Sequence, residues 1–187
     1  MSVSSVSPLR PGTPLDSQIV KTHGEVSTLK RPKLSGYHDD GFTPAADATQ
    51  YLDPMHNYLP TKDGSTYCNY FTQDYMKLRG VKNFPAMTAN DTNQWLNSKQ
   101  GAAAGWKAVS GQQAQDFVNK GGVAVVSSPN PSGHGHIAPI IEGTTTNGEP
   151  TIANAGSNNF AAGPDTASPA FRRANTQFFI YDPPKAN

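Results

Sequence analysis

The chain has 187 residues, a formal net charge of +1, 35% hydrophobic residues, and 17 glycines beside 16 prolines. That length favours one domain with an appendage and suffices for a sizeable core, while so much Gly and Pro excludes a helical bundle in favour of short elements joined by loops. Near-neutral charge excludes an overall field for nucleic acid or an anionic membrane, and no apolar run approaches the roughly 20 residues of a bilayer span.

Residues 1 to 45 read as a poorly structured arm in which Ser, Pro, Thr and Gly dominate and apolar residues have no period. Met1 to Pro14 lacks an apolar segment, so no secretory signal peptide is expected. The basic run Lys30-Arg31-Pro32-Lys33 reads as solvated tail rather than a nucleic-acid contact. The arm suits wrapping of the domain, or a handle for a carrier or partner. Residues 46 to 187 form the expected domain. Its first stretch, Ala45 to Pro60, is rich in aromatics and turn residues and predicts a segment packed across the body, with a short helix.

The segment from Cys68 to Arg79 predicts an amphipathic helix. Tyr67, Phe71, Tyr75 and Leu78 recur at spacings of four, four and three, Ser65 or Thr66 supplies the cap, and Gly80 stops it. A second helix is expected from Thr88 to about Ser98, capped by Thr88 or Asn90. Gly101 to Gly105 reads as a small-residue linker and Trp106 to Val109 as a short extended piece. A third helix follows Ser110, with Ala114, Phe117 and Val118 on its apolar face and Gly121-Gly122 at its end.

Strands follow. Val123 to Val126 is a continuous apolar run suited to a buried strand. His136 to Ile141 is a second strand, in which Pro139 predicts a bulge or an unpaired edge. Asn147-Gly148 marks the tip of a hairpin turn. Thr151 to Ala155 and Gln177 to Tyr181 are further strands, with Gly156 to Ala170 as loop. Helices first and strands after predict an α+β fold with helices packed on a small antiparallel sheet.

Cys68 is the one cysteine, so no internal disulfide forms, and the compartment is left open. A thiol in the first turn of a helix meets unpaired N–H groups and the positive end of the dipole, which favour thiolate. A nucleophilic thiol also needs a base and a group that orients the base. His136, at the start of its strand, is the candidate base. His134, two residues earlier, is its rival or a substrate contact. Asn154, on the strand across the Asn147-Gly148 turn, is placed to accept from the imidazole and orient it. Oxyanion stabilisation requires donors. The Cys68 backbone N–H is one, and the hydroxyls of Tyr58 and Tyr67 are further candidates. As an alternative, His134 and His136 form half of a zinc site with His56 or carboxylates, although no spacing points to the other ligands. A buried, inert Cys68 in a noncatalytic binding module is the remaining alternative.

Two motifs carry a resemblance over about Tyr58 to Tyr181. Tyr67-Cys-Asn-Tyr-Phe71 opens a helix, and Gly135-His-Ile-Ala-Pro-Ile-Ile-Glu-Gly143 follows as a strand. Together they resemble the NlpC-type papain-like cysteine peptidases of the cell wall, and most closely the type VI secretion amidase effectors. The sequence departs from that pattern at Asn69, at Pro139, and at Asn154, where the family often has His. The resemblance implies a papain-like fold and a cysteine amidase or endopeptidase that cleaves peptidoglycan stem or cross-link peptides. It implies no metal or organic cofactor. It further implies an antibacterial effector or lysin, secreted without a signal peptide and acting in the target-cell periplasm or cell wall. A cognate immunity protein and a secretion-apparatus carrier are the partners implied. A deamidase or protease toxin acting on a host protein would use the same cysteine–histidine pair.

Overall fold

The described residues of the computed structural model are 21–22, 25–26, 45–172 and 174–184. The expected arm therefore lies almost entirely outside the described residues, as does the basic run at 30–33. Its described part is two short strands, β1 (Lys21–Thr22) and β2 (Glu25–Val26), paired antiparallel. Beyond it the molecule is α+β, with helices mostly preceding a six-stranded antiparallel sheet whose first strand comes before the last helix.

The aromatic stretch forms two short helices, α1 (Ala45–Leu52) and α2 (Pro54–Asn57), divided at Asp53. Next, α3 (Cys68–Leu78) ends as Gly80 predicts: Gly80 N–H bonds Lys77 C=O at 3.0 Å and Val81 N–H bonds Met76 C=O at 2.9 Å. These are the paired closing bonds of a Schellman end. The expected single apolar stripe understates α3. Tyr70 through Met76 are all buried, because the helix is packed by α1 and by the sheet. Phe71 and Met76 are fully buried, and each contributes about 1.5–3 kcal/mol by leaving water.

Thr88 caps α4 (Ala89–Leu96), its hydroxyl accepting from Asp91 N–H at 3.1 Å. The expected linker after it is in part helical: α5 spans Lys99–Ala103. Ser98 starts it by accepting from the N–H groups of Gln100 and Gly101, a cap hidden by the small residues around it. Ser110 and Gln113 form a capping box on α6 (Gly111–Val118).

The sheet contains β3 (Trp106–Val109), β4 (Val123–Ser128), β5 (His136–Ile140), β6 (Thr151–Asn154), β7 (Phe160–Pro164) and β8 (Gln177–Tyr181), in the order β3-β8-β4-β5-β6-β7. β7 forms where the sequence predicts loop. Its Phe-Ala-Ala-Gly-Pro sequence lacks β-branched alternation, and it is tolerated because it is an edge strand. Both faces of β4 are covered, which explains its unbroken apolar run. Val123 and Val125 join a core with Phe71, Ile137 and Phe179, while Ala124 and Val126 join another with Ile140, Phe171 and Val118 of α6. At the hairpin tip, Asn147 and Gly148 have φ of 54° and 82°, the left-handed pair that a two-residue type I′ turn demands. Thr146 and Glu149 exchange backbone bonds across it at 2.9 and 3.0 Å. Among the described residues no helix is long and apolar enough to cross a membrane.

After β7, two 3₁₀ turns span Asp165–Ala167 and Pro169–Arg172. Asp165 is 2% exposed, and its Oδ1 has no hydrogen-bond partner among the described residues. Burial, reinforced by the charge of Glu149, pushes its carboxyl up to about 6. The folded state therefore holds this proton more tightly than the unfolded chain does. Its contribution favours folding at low pH and is lost as pH rises through about 6. Asp165→Asn removes that dependence: thermal unfolding is expected to give a higher Tm than wild type at about pH 8, with the gap closing by about pH 4.

Candidate functional site

Cys68 is the first residue of α3 and is 6% exposed. The N-cap is Tyr67 rather than the expected Ser65 or Thr66, and it makes no side-chain cap bond. The first turn consequently offers its N–H groups to other acceptors, and the backbone of Asn69 hydrogen-bonds the Cys68 sulfur.

The position of this sulfur follows from Pro139. The β4–β5 register runs without interruption from Ala124↔Ile140 to Ser128↔His136, so there is no bulge on that side. On the other side, the β5–β6 ladder holds the single pair Ile140↔Ile152, extended by Ile141 N–H to Thr151 C=O at 2.9 Å. N–H groups alternate sides along a strand. Since Ile141 faces β6, so do Pro139 and Ile137. Pro139 has no N–H to give, and the pairing lapses there. Ile137, one step further along, bonds the helix instead of β6. Its backbone hydrogen-bonds the Cys68 sulfur, and its C=O is 3.3 Å from the Thr72 hydroxyl, which also bonds Cys68 C=O at 2.8 Å. The start of α3 thus takes up the strand groups that a complete β5–β6 ladder would have used.

His136 and Asn154 meet across the same break. Continuing the antiparallel register from Ile140↔Ile152 places Gly156 opposite His136 and Asn154 opposite Ala138. The imidazole therefore reaches Asn154 diagonally, over Gly156. His136 Nε2 lies 2.8 Å from Asn154 Oδ1. A Cβ on Gly156 would stand 2.9 Å from His136 Cε1, so only glycine leaves the ring this path. The ring also packs against Phe171, with centroids 4.8 Å apart and planes tilted by 50°. Asn154 Nδ2 donates to Asn158 C=O at 2.6 Å, which fixes the carboxamide with its oxygen towards the ring. Nε2 must then carry hydrogen, and Nδ1 is left for the Cys68 thiol, with which the imidazole is hydrogen-bonded.

Burial pushes the Cys68 thiol up, but the charge and hydrogen bond of His136, with the backbone bonds from Ile137 and Asn69, bring it below its ordinary value. A sulfur this deeply buried would otherwise be inert. Chemically, the arrangement can hold a thiolate beside an imidazolium whose second N–H is occupied by an amide oxygen.

The other expected residues fall differently. Tyr58 corrects the reading of its hydroxyl as an oxyanion donor. The residue is fully buried and its OH donates to Asp74 Oδ2 at 2.8 Å. Asp74 lies six residues along α3 from Cys68, about 9 Å of helix. Tyr67 packs its ring against Tyr70, 6.1 Å between centroids, beside the helix start. His134 is exposed in the loop before β5, where its C=O accepts from Asn130 Nδ2 at 3.3 Å. His56 bonds Asp53 Oδ2 at 2.7 Å on the surface. Among the described residues, no group of three or more His, Cys, Asp or Glu side chains could hold a metal ion. An open groove of about 440 Å³, lined by Asp53, Pro54, Ile141, Glu142 and Ala162 among others, meets β5 at the end opposite His136.

The sequence reading did not single out Thr72, Gly156, Phe171, Asn158 or Asn159. The turn gives no signal for Gly156: counting outward from Thr146↔Glu149 would pair His136 with Asn159, and the observed Ile140↔Ile152 pair is shifted three residues from that register. Thr72 is one helical turn after Cys68, but only the sheet gives it an acceptor. No family model matches the chain, and no curated protein shows significant similarity to it.

The pH dependence of Cys68 alkylation by iodoacetamide tests this geometry. Wild-type protein is expected to titrate below the free-thiol value of about 8.5, and His136→Ala above it, because burial then acts without a compensating charge. Equal profiles for the two proteins would exclude the pairing.

Proposed function

We propose that the chain is a cysteine amidase or endopeptidase that cleaves peptidoglycan stem or cross-link peptides. The observation that carries the hydrolase reading is the line of hydrogen bonds from the Cys68 thiol through His136 to Asn154 Oδ1. The substrate class rests on the NlpC-type resemblance of the Cys68 and His136 motifs. A papain-like fold is consistent with the observed order, in which the cysteine helix comes first and the histidine and asparagine lie on neighbouring antiparallel strands.

The chemistry uses the residues in place. His136 Nδ1 takes the Cys68 proton, and the sulfur forms a bond to the substrate's amide carbonyl carbon. Negative charge develops on the carbonyl oxygen, for which the Cys68 N–H at the helix start is the donor assigned. Collapse breaks the C–N bond as His136 returns the proton to the departing amine. Water, deprotonated by His136, then attacks the thioester carbon, and the released thiolate recovers its proton. Asn154 keeps Nε2–H engaged throughout, so the ring stays in the tautomer that presents Nδ1. The biological setting proposed is that of an antibacterial effector or lysin reaching the periplasm or wall of a target cell, with a secretion carrier and an immunity protein as partners.

Purified sacculi incubated with wild-type protein are expected to release peptide fragments whose new amine and carboxylate termini, read by mass spectrometry, identify the bond. Cys68→Ala and His136→Ala should each lower release by on the order of 10³-fold or more while retaining the far-UV circular dichroism of the folded protein. Asn154→Ala should lose less than either, since water partly replaces the amide. Identical fragment profiles from wild type and Cys68→Ala would overturn the proposal. Cleavage or deamidation of a protein substrate with intact sacculi would move the pair to the host-protein reading.

A further inference from the structure

We propose that Asn159 is a positioning residue for the Cys68–His136 pair, acting through Asn154 and Gly156. The inference rests on the reading of Cys68 and His136 as nucleophile and base, and adds a residue that touches neither in the contacts above. The segment from Ala155 to Asn159 joins β6 to β7, where the register is irregular between Ile152 and Asn154, so ladder bonds alone do not fix its path.

The Asn159 carboxamide fixes it instead. Its Oδ1 accepts from Gly156 N–H at 2.7 Å, and its Nδ2 donates to Pro54 C=O at 2.6 Å and Tyr58 C=O at 2.9 Å. Pro54 opens α2 and Tyr58 follows its end, and both are buried, so the anchor is rigid. One side chain thereby holds the loop at two places that matter. Gly156 is the surface over which the His136 ring lies, with no room for a Cβ. Asn158, the residue before Asn159, supplies the C=O that sets the Asn154 amide through a 2.6 Å bond. Release of the loop lets the Asn154 carboxamide rotate. Its oxygen then leaves Nε2–H, and the charged imidazole loses the acceptor that favours it. The thiolate facing that imidazole is destabilised in turn.

The chain's single cysteine makes the test direct. The apparent pKa of Cys68 is read from the pH dependence of iodoacetamide alkylation in wild type and in five variants, the single Asn154→Ala among them. Asn159→Ala is expected to raise it by about one unit, a tenfold change in the protonation equilibrium. Asn159→Asp keeps an acceptor for Gly156 and loses the donors to α2. It should shift the pKa in the same direction and stands in if the alanine variant does not fold. The double variant Asn154→Ala/Asn159→Ala should exceed Asn154→Ala by less than the shift that Asn159→Ala makes alone, since the residues act in series. Asn119→Ala removes a similar clamp, Asn119 Nδ2 to Gly143 C=O at 2.9 Å, at the other end of β5, and should leave the pKa unchanged. A depressed wild-type pKa that Asn159→Ala and Asn159→Asp leave unmoved would overturn this inference alone, as would fully additive shifts in the double variant. A wild-type thiol titrating near 8.5 would overturn the site and this inference together. A depressed, Asn159-dependent pKa in a protein inactive on sacculi would remove only the substrate assignment.

Discussion

A sulfur buried at a helix start is tolerable as a thiolate only where positive charge and N–H donors replace the water it has lost, and much of this structure serves that requirement. Desolvation of an isolated anion costs several kcal/mol or more in a protein interior. Around Cys68 the replacement comes from three directions: His136, the first turn of α3, and the backbone of Ile137. None of these is local in sequence to all the others. The sheet has to bring β5 against the helix start, and the helix has to remain uncapped by its own preceding side chains.

Pro139 makes that meeting possible. The β5–β6 register, Ile140↔Ile152, is shifted three residues from the one the turn closes at Thr146↔Glu149, and Pro139 breaks the pairing partway along. At the turn end of the break the sheet is closed by a side chain: buried Gln115 of α6 donates to Ile141 C=O at 2.9 Å and accepts from Thr151 N–H at 2.7 Å. At the other end the unpaired backbone of Ile137 is taken by Cys68 and Thr72. The two ends differ in what fills them. A glutamine from a helix side completes a strand pair, whereas a helix terminus adds a reactive group and its dipole.

The sequence made much of this legible and concealed the rest for definite reasons. Cys68 at a helix start, His136 at a strand start and the turn between β5 and β6 are signalled by spacing and turn chemistry that act over a few residues. The cap of α3 was misassigned because Ser65 and Thr66 are good capping types, whereas the helix starts one residue beyond Thr66, with Tyr67 in the cap position. Tyr58 offered a hydroxyl whose partner, Asp74, lies 16 residues away and is chosen by helix packing. β7 has too little β propensity to be seen without the neighbour that pairs with it. Pro139 predicts a bulge or an unpaired edge; no bulge forms against β4 and the edge towards β6 goes unpaired, because which side lapses depends on register, a property of two strands.

The same logic explains why so much asparagine surrounds the candidate base. Asn154, Asn159 and Asn90 each use a carboxamide to hold backbone that no ladder holds. Asn90 Oδ1 accepts from Asn130 N–H at 2.8 Å, and Asn90 Nδ2 donates to Gly133 C=O at 2.8 Å, closing the loop that leads into His136. A Cβ on Gly135 would stand 2.3 Å from that Oδ1, so glycine at the position before the histidine is what lets Asn90 sit there. A carboxamide can donate and accept at once without carrying charge. Carboxylates at these positions would add negative charge near a sulfur that becomes an anion in the proposed reaction, and lysines would compete with His136 for it. Neutral clamps fix both loops flanking the imidazole while leaving the thiol–imidazole pair as the charges that set the chemistry.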